Sequence, residues 1–198
     1  GKWVWFWESG IKKEVTVFID GQQEGLWTTW YEDGTKKSER KFSNGERDSV
    51  WTTWYKDGNK KFQATYSNGK LNGSWTSWYS GGIVKEKTGF YLNNQLDKKW
   101  THWSENGQKT KVVTYSNGLK NGSYMVWNND NFKTIDGQHT QNQKDKIWTL
   151  RYNDGNLKAK ETYSKGEKDG KWIWYNPDGI LEKEGNYKNS VKHGLWIS

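Results

Sequence analysis

The sequence predicts an all-β fold: tandem 24-residue β-hairpin repeats joined into an elongated, twisted, single-layer antiparallel meander. Three observations predict it. An aromatic that follows Gly-x, or a variant of it, recurs at Trp3, Trp27, Trp51, Trp75, Trp100, Tyr124, Trp148, Trp172 and Trp196, always 24 residues apart except for one interval of 25. Asp-Gly or Asn-Gly pairs, a strong hairpin-turn signal, recur in phase at Asp33-Gly34, Asp57-Gly58, Asn106-Gly107, Asp154-Gly155 and Asp178-Gly179. The composition is aromatic rather than aliphatic, with 16 Trp and 11 Tyr in a chain that is only 31% hydrophobic.

Each part of the unit has a physical reason. The segment Trp51-Thr-Thr-Trp-Tyr reads as a strand, because β-branched and aromatic residues fit a pleated surface. Asp57-Gly58 turns the chain, and Asn59 to Tyr66 reads as the returning strand. That strand ends at an aromatic, at Phe18, Phe42, Tyr66, Tyr91, Tyr115, Tyr163 and Tyr187. Ser-Asn-Gly or a variant follows, and a Gly-containing loop is expected to lead to the next Trp. The single 25-residue interval places an extra residue, expected as a bulge near Gly89-Phe90. About eight such units fill residues 1–198 as a single array, and two strands per unit make a ribbon on the order of 80 Å long.

Strand alternation sorts the rings into two rows. Trp27 and Tyr31 share one face, and Thr28 and Trp30 share the other. The first row, Trp3, Trp27, Trp51, Trp75, Trp100, Tyr124, Trp148, Trp172 and Trp196, is filled in every repeat and reads as the structural row. Each ring can bury roughly 150–250 Å², so stacked rings can hold a thin sheet that lacks an aliphatic core. The second row, Phe6, Trp30, Trp54, Trp78, Trp103, Trp127, Arg151 and Tyr175, is not needed for that purpose. Its tryptophans, Trp30, Trp54, Trp78, Trp103 and Trp127, are the candidate partner-binding residues.

The pattern Gly-x-Trp-x-x-[Trp/Tyr]-Tyr-x-[Asp/Asn]-Gly, followed by Tyr-x-Asn-Gly-x-x-x-Gly-x-Trp, resembles the MORN repeat, in the variant form of the bacterial YwqK-family antitoxin type. Gly69-Lys-Leu-Asn-Gly-Ser-Trp75 and Gly166-Glu-Lys-Asp-Gly-Lys-Trp172 carry the resemblance best. The departure is the second Trp, at positions such as Trp30 and Trp54, where that family more often has Tyr or Phe. The resemblance implies a non-enzymatic scaffold or protein-interaction ribbon, with an antitoxin-like binding protein as an alternative and affinity for acidic lipids as a further implication.

Other chemistries find little support. No Cys occurs, which excludes disulfides and thiolate metal sites. His102, His139 and His193 lie in three different repeats and read as surface or row residues, so no catalytic, metal or cofactor site is expected. Glu14, Glu86 and Glu161 sit beside lysines and read as cross-strand ion pairs. The net charge is +8, but Lys outnumbers Arg and is spread over every repeat, which suits an edge-protected sheet better than a nucleic-acid reader. A carbohydrate- or choline-binding surface is the alternative reading of the second row. The chain begins and ends at the same phase of the unit, in Gly1-Lys-Trp3 and Gly194-Leu-Trp196, and neither end carries a polar cap. The array is therefore expected to belong to a longer chain, or to meet a protein partner or another copy through its ends.

Overall fold

The computed structural model describes all residues, Gly1–Ser198, and contains no helix. Two compact units are resolved, residues 1–97 with 105–107, and residues 98–104 with 108–198. The first contains β1 (Lys2–Phe6), β2 (Lys12–Ile19), β3 (Gln22–Trp30), β4 (Lys36–Ser43), β5 (Glu46–Trp54), β6 (Lys60–Ser67), β7 (Lys70–Trp78) and β8 (Lys85–Leu92). The second contains most of β9 (Gln95–Trp103), then β10 (Lys109–Ser116), β11 (Leu119–Trp127), β12 (Lys133–Thr140), β13 (Gln143–Arg151) and β14 (Leu157–Ser164). It continues with β15 (Glu167–Lys168), β16 (Gly170–Tyr175), β17 (Leu181–Lys188) and β18 (Val191–Ile197). Within each unit, β15 and β16 apart, every strand is antiparallel to its sequence neighbours, the hairpin meander that the 24-residue period predicts. The short β15 and β16 act as one interrupted partner of β14.

Two kinds of turn alternate. The Asp-Gly turns are three-residue loops: the Gly58 N–H donates to the Tyr55 carbonyl at 3.0 Å, and the Tyr55 N–H to the Asn59 carbonyl at 2.8 Å. Gly58 takes the left-handed conformation at φ 83°, the signature of a type I turn closed by a glycine bulge. The Asp57 carboxylate accepts the Asn59 N–H at 2.9 Å, which is why Asp precedes this Gly. The tightest hairpins lie at the other end, at Ser-Asn-Gly. Asn68 and Gly69 both have positive φ, 48° and 73°, as a two-residue type I′ turn demands.

No loop separates that turn from the next Trp, in contrast to the expectation. The strand runs on and bulges. Val15 pairs with Thr28 and Val17 with Glu24, so Gly25, Leu26 and Trp27 stand opposite Thr16 alone. Gly25 has φ 72°, and where Gly is replaced, Ser49 and Lys146 keep positive φ values of 57° and 59°. Gly-x-Trp is thus a bulge signature that re-aims the Trp. The extra residue is also elsewhere than expected. The Tyr79 N–H donates to the Val84 carbonyl across its turn, one residue further than the Tyr55 N–H to Asn59, and Trp75 then pairs with Gly89 in regular register. The insertion is absorbed in the turn at Ser80–Ile83, where it leaves the ladder intact, and not at Gly89-Phe90.

Candidate partner-binding surface

The first row builds the core of each unit. Trp27, Phe42, Trp51 and Tyr66 follow one another at ring separations of 5.6, 5.2 and 4.7 Å, alternating first-strand and second-strand rings. Tyr163, Trp172, Tyr187 and Trp196 repeat the arrangement at 5.2, 5.2 and 5.0 Å. Such pairs add about 0.5–1.5 kcal/mol each beyond the area they bury. Trp51, Trp100, Trp148 and Trp172 are buried, while Trp27, Trp75, Tyr124 and Trp196 are half-buried. Trp3, on the edge strand β1, stands apart at 56% exposed.

Two devices seat these rings. The indole N–H of Trp51 donates to the Lys41 carbonyl at 3.0 Å, that of Trp148 to Gln138 at 3.0 Å, and that of Trp172 to Thr162 at 2.8 Å. Each bond reaches back into the second strand of the preceding hairpin. The residue beneath the ring is also small at several repeats. Ala64 pairs with both Trp51 and Trp75, and an added Cβ on Gly137 or Gly185 would fall 2.3 Å from the Trp148 or Trp196 indole. Basic side chains cover the exposed ring faces, with Arg47 over Trp51 at 4.8 Å, Lys144 over Trp148 at 4.6 Å and Lys168 over Trp172 at 4.5 Å.

A third feature ties one repeat to the next. The hydroxyl of Tyr31 donates to the Trp54 carbonyl, that of Tyr55 to the Trp78 carbonyl, and that of Tyr152 to the Tyr175 carbonyl, all at 2.8 Å. Asn128 serves the same purpose with its amide, donating to the Asn153 carbonyl at 2.7 Å. Burial and the nearby Glu86 and Asp57 carboxylates push the Tyr55 phenol above its ordinary range. The 24-residue recurrence of Tyr at this position was the available signal for the latch, but hydrophobic patterning alone assigns these rings to a face and not to a carbonyl.

The second row is placed differently. Trp30, Trp54, Trp78, Trp103 and Trp127 are all half-buried. Trp54 and Trp78 are met by Lys36 at 5.3 Å and Lys60 at 5.7 Å, both reaching from the preceding repeat. Trp30, Trp54, Trp78 and Trp127 make no ring contact with the first row, whose rings touch one another instead.

A family model described as MORN repeat variant matches residues 23–44, 47–68 and 168–189. Three of the chain's hairpins are MORN repeats. No curated protein matches it. Each matched window opens after one type I′ turn and closes on the next, so the MORN unit is the hairpin itself: Trp strand, glycine-bulge turn, return strand. The hairpins between the matched MORN windows keep the same strand lengths and type I′ turns, with Asn93-Asn94 and Gln141-Asn142 replacing Asn-Gly at positive φ.

The three histidines stay apart. His102 is half-buried on β9, His193 is exposed on β18, and His139 is buried on β12. No group of three or more His, Cys, Asp or Glu side chains gathers where a metal could be held. Of the acidic residues, Glu161 lies 3.8 Å from Lys144, and Glu86 lies 3.4 Å from Lys87 and accepts the Ser77 hydroxyl at 2.9 Å. No helix is long and apolar enough to cross a membrane.

Proposed function

We propose that the chain is a non-enzymatic protein-interaction scaffold whose units each present second-row tryptophans to a partner protein, Trp30, Trp54 and Trp78 in the first unit and Trp103 and Trp127 in the second. One observation carries the reading: these rings recur at the repeat spacing, only half-buried, while the continuous ring stack is formed by the first row. Trp is enriched at the centres of protein interfaces because it buries a large area at low entropic cost. MORN arrays are typically non-enzymatic, which agrees with the scattered histidines. The exposed edge-strand rings, Trp3 at 56%, Trp5 at 40% and Phe6 at 56%, offer a further contact for a partner or for a second copy. Choline-like cations fit the second row less well, because the Lys36 and Lys60 ammonium groups already occupy the neighbourhood of Trp54 and Trp78 and would repel them.

A photoreactive phenylalanine analogue placed at position 54 tests this in the native cell. The reading expects one dominant protein adduct, lost when Trp30 and Trp78 are both changed to Ser in the same chain. The same analogue at position 51, within the packed row, should give none. Equal labelling from both positions would contradict the assignment of rows.

A further inference from the structure

The aromatic row is broken at one place in the second unit. Equivalent second-strand positions carry Tyr115 before it and Tyr163 after it, but His139 stands between them. His139 is 8% exposed, and its Nδ1 is buried without a hydrogen-bond partner. Its ring meets Tyr124 edge-on at 5.2 Å and Trp148 at 4.9 Å. Beneath it, Trp148 sinks against Gly137, where any Cβ would collide with the indole. The smaller imidazole and the lowered indole leave a cavity of about 250 Å³, walled by Tyr124, Trp148, Ile135 and Leu150.

The mouth of this cavity is cationic. Lys120 and Lys144 line it, and Lys111 reaches from β10 to 5.2 Å from the Tyr124 ring. Lys144 is shared with Glu161 at 3.8 Å and with the Tyr163 hydroxyl at 3.2 Å. Lys111 and Lys120 are held over the Tyr124 ring instead, with no carboxylate between them. The groups facing His139 are therefore Lys111 on β10, Lys120 and Tyr124 on β11, and Lys144 on β13, with Glu161 and Tyr163 behind Lys144. Burial, and then Lys120, Lys144 and Lys111, hold His139 below its ordinary range and so in the neutral form.

We propose that this pocket binds a small organic oxyanion with a flat apolar body, an aryl phosphate or aryl carboxylate, with its charge among Lys111, Lys120 and Lys144 and its ring in the apolar hollow lined by Ile135, Leu150 and Trp148. The site goes beyond the second-row surface and stands independently of it. An inorganic anion would leave the apolar walls unfilled, and a neutral ring would leave the ammonium groups unpaired. The pocket is open to solvent at its lysine-lined mouth, and at about 250 Å³ it has room for an aryl group with one anionic substituent. The incoming charge also offsets the lysines, so His139 takes up a proton as the ligand arrives.

Nuclear magnetic resonance of the whole chain, titrated with phenyl phosphate, tests the site. The proposal expects saturable shifts of the His139 ring and the Trp148 indole N–H, and a rise in the His139 pKa on binding. Lys111→Met with Lys120→Met keeps the apolar stems over Tyr124, and should weaken binding about tenfold or more. His139→Phe restores the row's usual ring and should fill the cavity, abolishing both the binding and the proton uptake. Inorganic phosphate should bind more weakly than phenyl phosphate, and benzyl alcohol should not bind. Unmoved His139 and Trp148 signals at millimolar phenyl phosphate would overturn the proposal. So would undiminished binding in the lysine variant, or inorganic phosphate binding as tightly as phenyl phosphate.

Discussion

The phenolic hydroxyl of Tyr55 donates to the main-chain carbonyl of Trp78, at 2.8 Å, one repeat further along the chain. The bond closes a carbonyl at the point where a strand gives way to its turn, and Tyr31 and Tyr152 make the same contact in their own repeats. Tyr55→Phe removes the donor and keeps the ring. The expected loss is about 1 kcal/mol of unfolding free energy, the usual net worth of one such bond, read by urea denaturation. An unchanged midpoint would mean that the latch contributes only orientation.

The left-handed bulge residue gives a prediction of opposite sign. Lys146 holds φ 59° where Gly25, Gly122 and Gly170 stand in other repeats. A non-glycine residue in that region costs about 1–2 kcal/mol, and Gly gives back roughly 0.5–1 kcal/mol through its looser unfolded chain. Lys146→Gly should therefore stabilise the protein, by on the order of 0.5–1 kcal/mol. Gly73→Lys, at φ 136° with Thr65 2.7 Å from any added Cβ, should destabilise it. Thermal denaturation of the two variants would show the contrast, and shifts of the same sign would refute the bulge account.

Stability should also depend on pH through His139. Its pKa is depressed from 6.5 in the folded chain, by burial first and then by Lys120, Lys144 and Lys111. As pH falls through that ordinary value, the unfolded chain takes up a proton that folded His139 refuses. Stability is therefore full at neutral pH and declines below about pH 6.5 until the folded value is passed. His139→Phe should flatten this part of the profile. Above pH 10 the sign reverses, because Tyr55 and Tyr163, whose phenols are raised, hold their protons while the unfolded chain loses them. Stability should fall again there, measured as the urea midpoint across pH.

Damage within the array should remain local. Trp148→Ala removes a ring that is 3% exposed and bonded to the Gln138 carbonyl. Neighbouring hairpins β11–β12 and β13–β14 should lose amide protection, while β17 and β18 keep theirs, since repeats stabilise mainly their neighbours. Uniform loss of protection, followed by hydrogen exchange with mass spectrometry, would instead indicate one cooperative block.

The sequence was most legible where one physical rule acted alone. The spacing of Trp27, Trp51 and Trp75 gave the hairpin period, and alternation separated Trp51 from Trp54, because a strand has only two faces. The bulge at Gly25 was not legible as a bulge, since Gly in a turn and Gly in a bulge both serve positive φ and differ only in the partner strand. The insertion near Ser80 is not legible for a related reason: a 25-residue interval says that a residue is added but not which element takes it, and a turn accepts it at less cost than a ladder. The second row is partly legible. Its face could be assigned, but the reach of Lys36 and Lys60 onto Trp54 and Trp78 depends on diagonal neighbours that no single-strand pattern contains.

The division of labour between the two rows can be measured most directly within one repeat, by comparing Trp51→Ala with Trp54→Ala under urea denaturation. Trp51 is 9% exposed, packs on Phe42 and Tyr66, and donates to the Lys41 carbonyl. Its loss should cost about 3–5 kcal/mol. Trp54 is half-buried, contacts no first-row ring, and is met by one lysine, so its loss should cost no more than about 1 kcal/mol. Comparable losses from the two substitutions would contradict the account, because the second row would then be core and not a surface held ready for a partner.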